Sequence, residues 1–150
     1  MAHARSLLVS FCTLLALGGC AAAAAPGVEP GSGGVAAQRA RWDAQRLDDY
    51  RFTVARTCRC TDDARQPAVV EVRGDRVVRV TSVGTGRELD PGLGFTVDEL
   101  FDRIAAAERN GTAPAVEYHP QRGYPTRATV GTLENDAGVE YSLSNLEPVR

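Results

Sequence analysis

Cys58 and Cys60 flank a single arginine. In an extended strand that spacing puts both thiols on one face with Cα atoms about 6.6 Å apart, near the upper limit for a disulfide. Outside the cytoplasm a close thiol pair oxidises, so a disulfide is expected, with a bend or bulge at Arg59. The ring closes little chain and adds little stability through loop entropy. The same pair could act as a reducible switch, Arg56 and Arg59 favouring the thiolate. It could also hold a soft or borderline metal ion, with His119 as third ligand. The plainer reading of His119 is a surface residue at a strand end before a proline turn.

Other chemistry-bearing residues are explained structurally. Asp48-Asp49 and Asp62-Asp63 are paired carboxylates of the kind that do acid–base work or hold a hard cation. Sequence neighbours point apart, however, and a helix C-terminus and a loop rim account for them. Gly84-Thr-Gly86 and Pro91-Gly-Leu-Gly94 lack the strand-to-helix setting of a phosphate loop. There is no nucleophile elbow, metalloprotease helix or Ser/His/Asp set, and with His119 as the single histidine after the leader most hydrolytic schemes lack a base. The expectation is a non-enzymatic protein with no cofactor. Tyr118, Tyr124 and Pro125, around a turn at Gly123, are a candidate interaction surface, or else inward residues of two paired strands.

The remaining cysteines, Cys12 and Cys20, lie in a leader and directly after it. His3 and Arg5 precede an apolar stretch from Leu7 to Leu17 and small residues before a processing point, the three parts of a signal peptide. Leu17-Gly18-Gly19-Cys20 resembles the lipobox of bacterial lipoproteins, which implies cleavage after residue 19 and lipidation of Cys20, and two or more acyl chains anchor stably. The alternatives are an uncleaved span from Leu7 to Ala25, disfavoured by Gly18-Gly19 and the alanines, and ordinary cleavage giving a secreted form. Residues 20–35 read as a tether on the order of 20 Å end to end. Cys12 leaves with the leader. The expected location is outside the cytoplasm, anchored by lipid to the bacterial cell membrane.

All 17 basic residues are arginine, and removing the leader leaves 16 against 19 acids, a net charge of about −3 with the signs interspersed. That excludes nucleic acid as a natural partner, since phosphate backbones call for a basic patch.

Residues 36–150 have room for one domain. Ala36 to Leu47 reads as a helix, with Ala40, Ala44 and Leu47 at helical spacing and Trp42 as a core anchor. Tyr50 to Cys60 alternates as a strand with Tyr50, Phe52, Val54, Cys58 and Cys60 on one face. Strands from Ala68 to Arg73 and Arg76 to Val83 meet at Gly74-Asp75. A three-residue loop is expected there, placing Val70, Val72, Val78 and Val80 on one face with Glu71 and Arg79 on the other. Thr96 and Glu99 form a capping box and Phe95 a staple on Leu100, opening a helix with the stripe Val97, Leu100, Phe101, Ile104 and Ala105 that stops at Asn110-Gly111. Strands follow at Ala115 to His119, Tyr124 to Val130 and Val139 to Leu146. The order α-β-β-β-α-β-β-β implies an α+β domain, an antiparallel sheet with two helices on one face. Pro67-Ala-Val-Val-Glu-Val against Pro114-Ala-Val-Glu-Tyr suggests a diverged duplication.

Trp42, Leu47-Asp-Asp-Tyr50-Arg-Phe, Cys58-Arg-Cys60, Val97-Asp-Glu-Leu100-Phe and Tyr118-His-Pro-Gln-Arg-Gly-Tyr-Pro125 together resemble the bacterial family called domain of unknown function 6174. The resemblance runs from Trp42 to the last strand and implies an exported, often lipid-anchored envelope protein without an established activity. The family pattern expects an aspartate where His119 stands and a more acidic loop at Asn135-Asp136-Ala137-Gly138, which weakens any cation-binding role there. The expected function is a binding or interaction module for an envelope protein or ligand, with thiol redox or metal handling through Cys58 and Cys60 as the alternative.

Overall fold

The computed structural model describes residues 33–133 and 137–149. The leader, Cys20, most of the tether and much of the loop at Asn135 therefore lie outside the described residues. Helix α1 spans Val35–Asp43, strand β1 Tyr50–Thr57, a short helix α2 Asp62–Arg65, β2 Ala68–Arg73, β3 Arg76–Ser82 and β4 Glu88–Leu89. A 3-10 turn at Pro91–Leu93 leads to α3, Val97–Arg109, followed by β5 Ala115–Tyr118, β6 Pro125–Val130 and β7 Val139–Pro148. The strands form one antiparallel sheet in the order β4-β3-β2-β1-β7-β6-β5. The chain is thus α+β, with α2 and the two-residue β4 beyond the expected elements.

β1 lies mid-sheet and carries the core. Tyr50, Phe52 and Val54 alternate inward and are at most 1% exposed, each burial stabilising the fold by about 1.5–3 kcal/mol. Val70, Val72 and Val80 extend this layer, and Val97, Leu100, Phe101, Ile104 and Ala107 of α3 pack into the core. At the start of α3 the Thr96 hydroxyl accepts from the Glu99 N–H (3.1 Å), and the Glu99 carboxylate accepts from the Thr96 N–H (2.8 Å). One more of the orphan N–H groups of that first turn, Val97, donates to the buried Tyr50 hydroxyl at 2.9 Å. This strand-to-helix bond has no local sequence signal.

Two expectations are corrected. Glu71 opposes Arg79 and Val70 opposes Val80 as expected, but Val72 pairs with Val77 and Arg73 with Arg76. The loop therefore has two residues, Gly74 and Asp75, both with positive φ (52° and 60°), and a bulge past Glu71/Arg79 absorbs the change of register. Val78 is the bulged residue, 48% exposed rather than inward. In α1 the buried residues are Gln38 and Trp42, while Ala40 and Ala44 are exposed. An indole offers far more area to bury than two alanine methyls and sets the helix rotation, and the helix ends before Leu47 is reached.

Candidate functional site

An open cleft of about 570 Å3 lies where four segments meet. Trp42, Asp43 and Arg46 come from the end of α1 and its exit, Leu47 and Asp48 from the approach to β1, Asp75 from the β2–β3 turn, and Thr96 and Asp98 from the start of α3. Trp42 is held by edge-on contacts with Tyr50 (5.4 Å) and Tyr124 (6.0 Å), and its indole N–H donates to Asp98 at 3.4 Å. Arg39 bridges Asp98 (3.4 Å) and Asp102 (2.5 Å), tying α1 to α3. The carboxyl of Asp75, though exposed, is raised from its ordinary value by local desolvation and by repulsion from Asp48, Asp98 and Asp49. The cleft is therefore a place of excess negative charge with one aromatic and one aliphatic wall.

The carboxylate pairs separate as expected of sequence neighbours. Asp48 lines the cleft, whereas Asp49 turns to the hairpin, accepting from the Gly74 N–H (2.9 Å) and pairing with Arg73 (3.2 Å), which lowers its pKa. Asp62 and Asp63 sit in the first turn of α2 rather than on a loop rim, Asp62 paired with Arg65 and Asp63 with Arg87.

The other nominated residues do not gather into one site. β1 ends at Thr57, and the bend beyond it brings the Cα atoms of Cys58 and Cys60 to 5.4 Å with the sulfurs at bonding distance. The pair is half-buried beside a smaller depression lined by Thr57, Arg59, Leu133 and Gly138. His119 belongs to the β5–β6 turn instead. Its Nδ1 accepts from the N–H groups of Gln121 (3.3 Å) and Arg122 (3.2 Å), and its ring stacks on Tyr124. Among the described residues no three His, Cys, Asp or Glu side chains converge as metal ligands.

Tyr118, Tyr124 and Pro125 adopt the inward arrangement, not that of an exposed contact surface. Tyr124 and Pro125 are buried, and Tyr118 stacks on Phe101 with ring centroids 6.2 Å apart. Burial pushes the Tyr118 phenol up to about 12, with Glu108 adding to the effect. Gly123 has φ +79°, and a Cβ there would lie 2.5 Å from the Gln38 carbonyl oxygen of α1. The Gly-Tyr-Pro turn thus docks directly on the α1 backbone, which only glycine permits.

Sequence reasoning assigned Arg56 to the thiols and missed its aromatic partners. Arg56 continues the inward alternation of Tyr50, Phe52 and Val54, and its guanidinium lies over Phe95 and Tyr141. Period-2 alternation was the available signal, masked by the residue's charge.

The chain matches the model of the family of unknown function DUF6174 over residues 34–148, and it belongs to that family. No curated protein and no solved structure matches it.

Proposed function

We propose that this protein is an exported, lipid-anchored component of the bacterial cell envelope whose domain is a non-enzymatic binding module, with the Trp42–Asp98 cleft as its binding site. The cleft carries the reading: its volume falls in the range of ligand sites, and fixed walls from α1, the β2–β3 turn and α3 surround it. Its charge suits a ligand or envelope protein presenting a basic group. Among the described residues no helix is long and apolar enough to cross a membrane, and in this reading attachment rests on the lipid at Cys20 and the tether that follows.

The test is photo-crosslinking in cells, with the crosslinker at Asp43 on the cleft rim and, as control, at Ser144 on the sheet. Asp43 is expected to give a discrete product that Asp48→Asn diminishes. The same products from both positions, insensitive to Asp48→Asn, would overturn the reading.

The same proposal extends to architecture: α1 and α3 share one face of the sheet, and the two halves descend from a duplication. Trp42 and Val97 both meet Tyr50, and β1–β4 and β5–β7 step across the sheet in the same direction. A second reading, thiol redox or metal handling, draws on the half-buried sulfur pair at Cys58 and Cys60. It requires a reduction potential of roughly −120 to −270 mV, whereas a structural disulfide lies below about −300 mV. Thiol titration in defined glutathione buffers separates the two.

A further inference from the structure

Two arginines share one aromatic platform. Phe95, just before α3, and Tyr141 of β7 pack edge to face with centroids 5.3 Å apart. The Arg56 guanidinium lies 5.2 Å from the Phe95 ring and 5.9 Å from Tyr141. The Arg103 guanidinium, reaching over from α3, lies 5.0 Å from Phe95 and 5.7 Å from Tyr141, and it donates to the Tyr141 hydroxyl at 3.2 Å. Ring faces attract cations, which holds both in place, but a ring does not neutralise a charge.

No carboxylate among the described residues pairs with either guanidinium. The hydrogen bonds of Arg56 go to the backbone carbonyls of Ala64 and Leu93. Arg39, Arg51, Arg65, Arg73, Arg87 and Arg127 are paired with Asp or Glu, whereas Arg41 and Arg122, like Arg56, donate to backbone carbonyls; what sets Arg56 and Arg103 apart is that they share one pair of rings. Glu99, one turn before Arg103 in α3, turns its carboxylate back to the Thr96 N–H instead. Arg56 is also half-buried, and burial together with the Arg103 charge works against its protonated form. A half-buried guanidinium and an exposed one over the same two rings, neither paired with a carboxylate among the described residues, favour an anion beside them. A planar guanidinium fork fits the oxygens of phosphate or carboxylate, and a pair of unit positive charges matches a phosphate dianion better than a single carboxylate.

We propose that Arg56 and Arg103, set on Phe95 and Tyr141, form a binding site for a phosphate-class oxyanion, either free phosphate or the phosphomonoester head of an envelope molecule. The site is independent of the acidic cleft. Arg56 lies six positions along β1 from Tyr50, which touches Trp42 of the cleft wall, a distance on the order of 20 Å along the strand. The domain thus carries uncompensated charge of opposite sign toward the two ends of its central strand.

The experiment is titration of the full chain with inorganic phosphate at pH 7.5, chloride holding the ionic strength constant, followed by the arginine side-chain N–H resonances in NMR. Saturable shifts are expected at Arg56 and Arg103. Arg103→Gln, an exposed substitution that suits a helix, is expected to weaken binding at least tenfold, while Arg109→Gln on the same helix leaves it unchanged. Absence of saturable binding, or equal weakening by both variants, would overturn the site, the second result reducing it to general charge attraction. A parallel titration with glycerol phosphate identifies the source: affinity equal to or above that of inorganic phosphate assigns a phosphomonoester head, and lower affinity assigns the free ion.

Discussion

Replacing Gly123 by alanine should be among the most damaging single-methyl changes in the domain. Two costs combine. At φ +79° an L-residue is disfavoured, by roughly 1–2 kcal/mol. The new Cβ would also lie 2.5 Å from the Gln38 carbonyl oxygen and 2.9 Å from the Arg41 Cβ. Neither atom is the far end of a flexible side chain, so the turn must lift from α1, an overpacking cost of about 1–3 kcal/mol. Against these, alanine restricts the unfolded chain and returns about 0.4–1 kcal/mol. The net loss is about 1–5 kcal/mol, a fall in Tm on the order of 10 °C for a domain of this size. Gly111→Ala is the matched control: its φ is +74°, but its Cβ would meet open space. Urea and thermal melts followed by circular dichroism give the difference between the variants, which isolates the clash. If Gly123→Ala falls within ~0.5 kcal/mol of Gly111→Ala, close docking of the turn on α1 is refuted.

The other predictions address single groups. Tyr50→Phe leaves the Val97 N–H without its buried acceptor and should cost about 1–3 kcal/mol in a urea melt; Tyr118→Phe removes a buried hydroxyl that has no partner among the described residues and should be neutral or slightly stabilising. Asp75, whose folded pKa is raised, loses stability as pH rises from the ordinary carboxylate range through that higher value. Asp75→Asn should therefore gain stability relative to wild type over that rise and keep the gain at neutral pH; a pH-independent difference would show that only the left-handed backbone preference of asparagine is at work. Asp49 has the opposite sign: its folded pKa is lowered, so its contribution is present at neutral pH and lost as pH falls through the folded value. Asp49→Asn should destabilise at pH 7, with the difference vanishing in acid.

What was legible in the sequence was what is local. The capping box at Thr96 and Glu99 and the α3 stripe need only neighbouring residues, and the strands of alternating apolar side chains announce themselves in the same way. The hairpin register was misjudged because a two-residue turn with a bulge and a three-residue loop leave the same Glu71/Arg79 pair opposed; only the backbone distinguishes them. The rotation of α1 was misjudged because its pattern of alanines resembles an apolar face, whereas the partners it meets, the turn at Gly123 and the residues at Asp98 and Asp102, come from some 55 to 85 positions away in the chain. The cleft was not legible for the same reason, since its acids come from separate segments and converge only in the folded domain. Arg56 was assigned only to the nearby thiols because a charged residue at an inward position argues against itself until its ring partners, Phe95 and Tyr141, are known.

The claim that the protein is exported and lipid-anchored is tested most directly by mass spectrometry of the N-terminal peptide of the protein isolated from its own membranes. The account predicts a peptide beginning at Cys20 that carries a diacylglyceryl thioether, with an acyl chain on the new amine, and that is absent in Cys20→Ala. An unmodified N-terminus at Met1, or one within the alanines that follow Cys20, would contradict it.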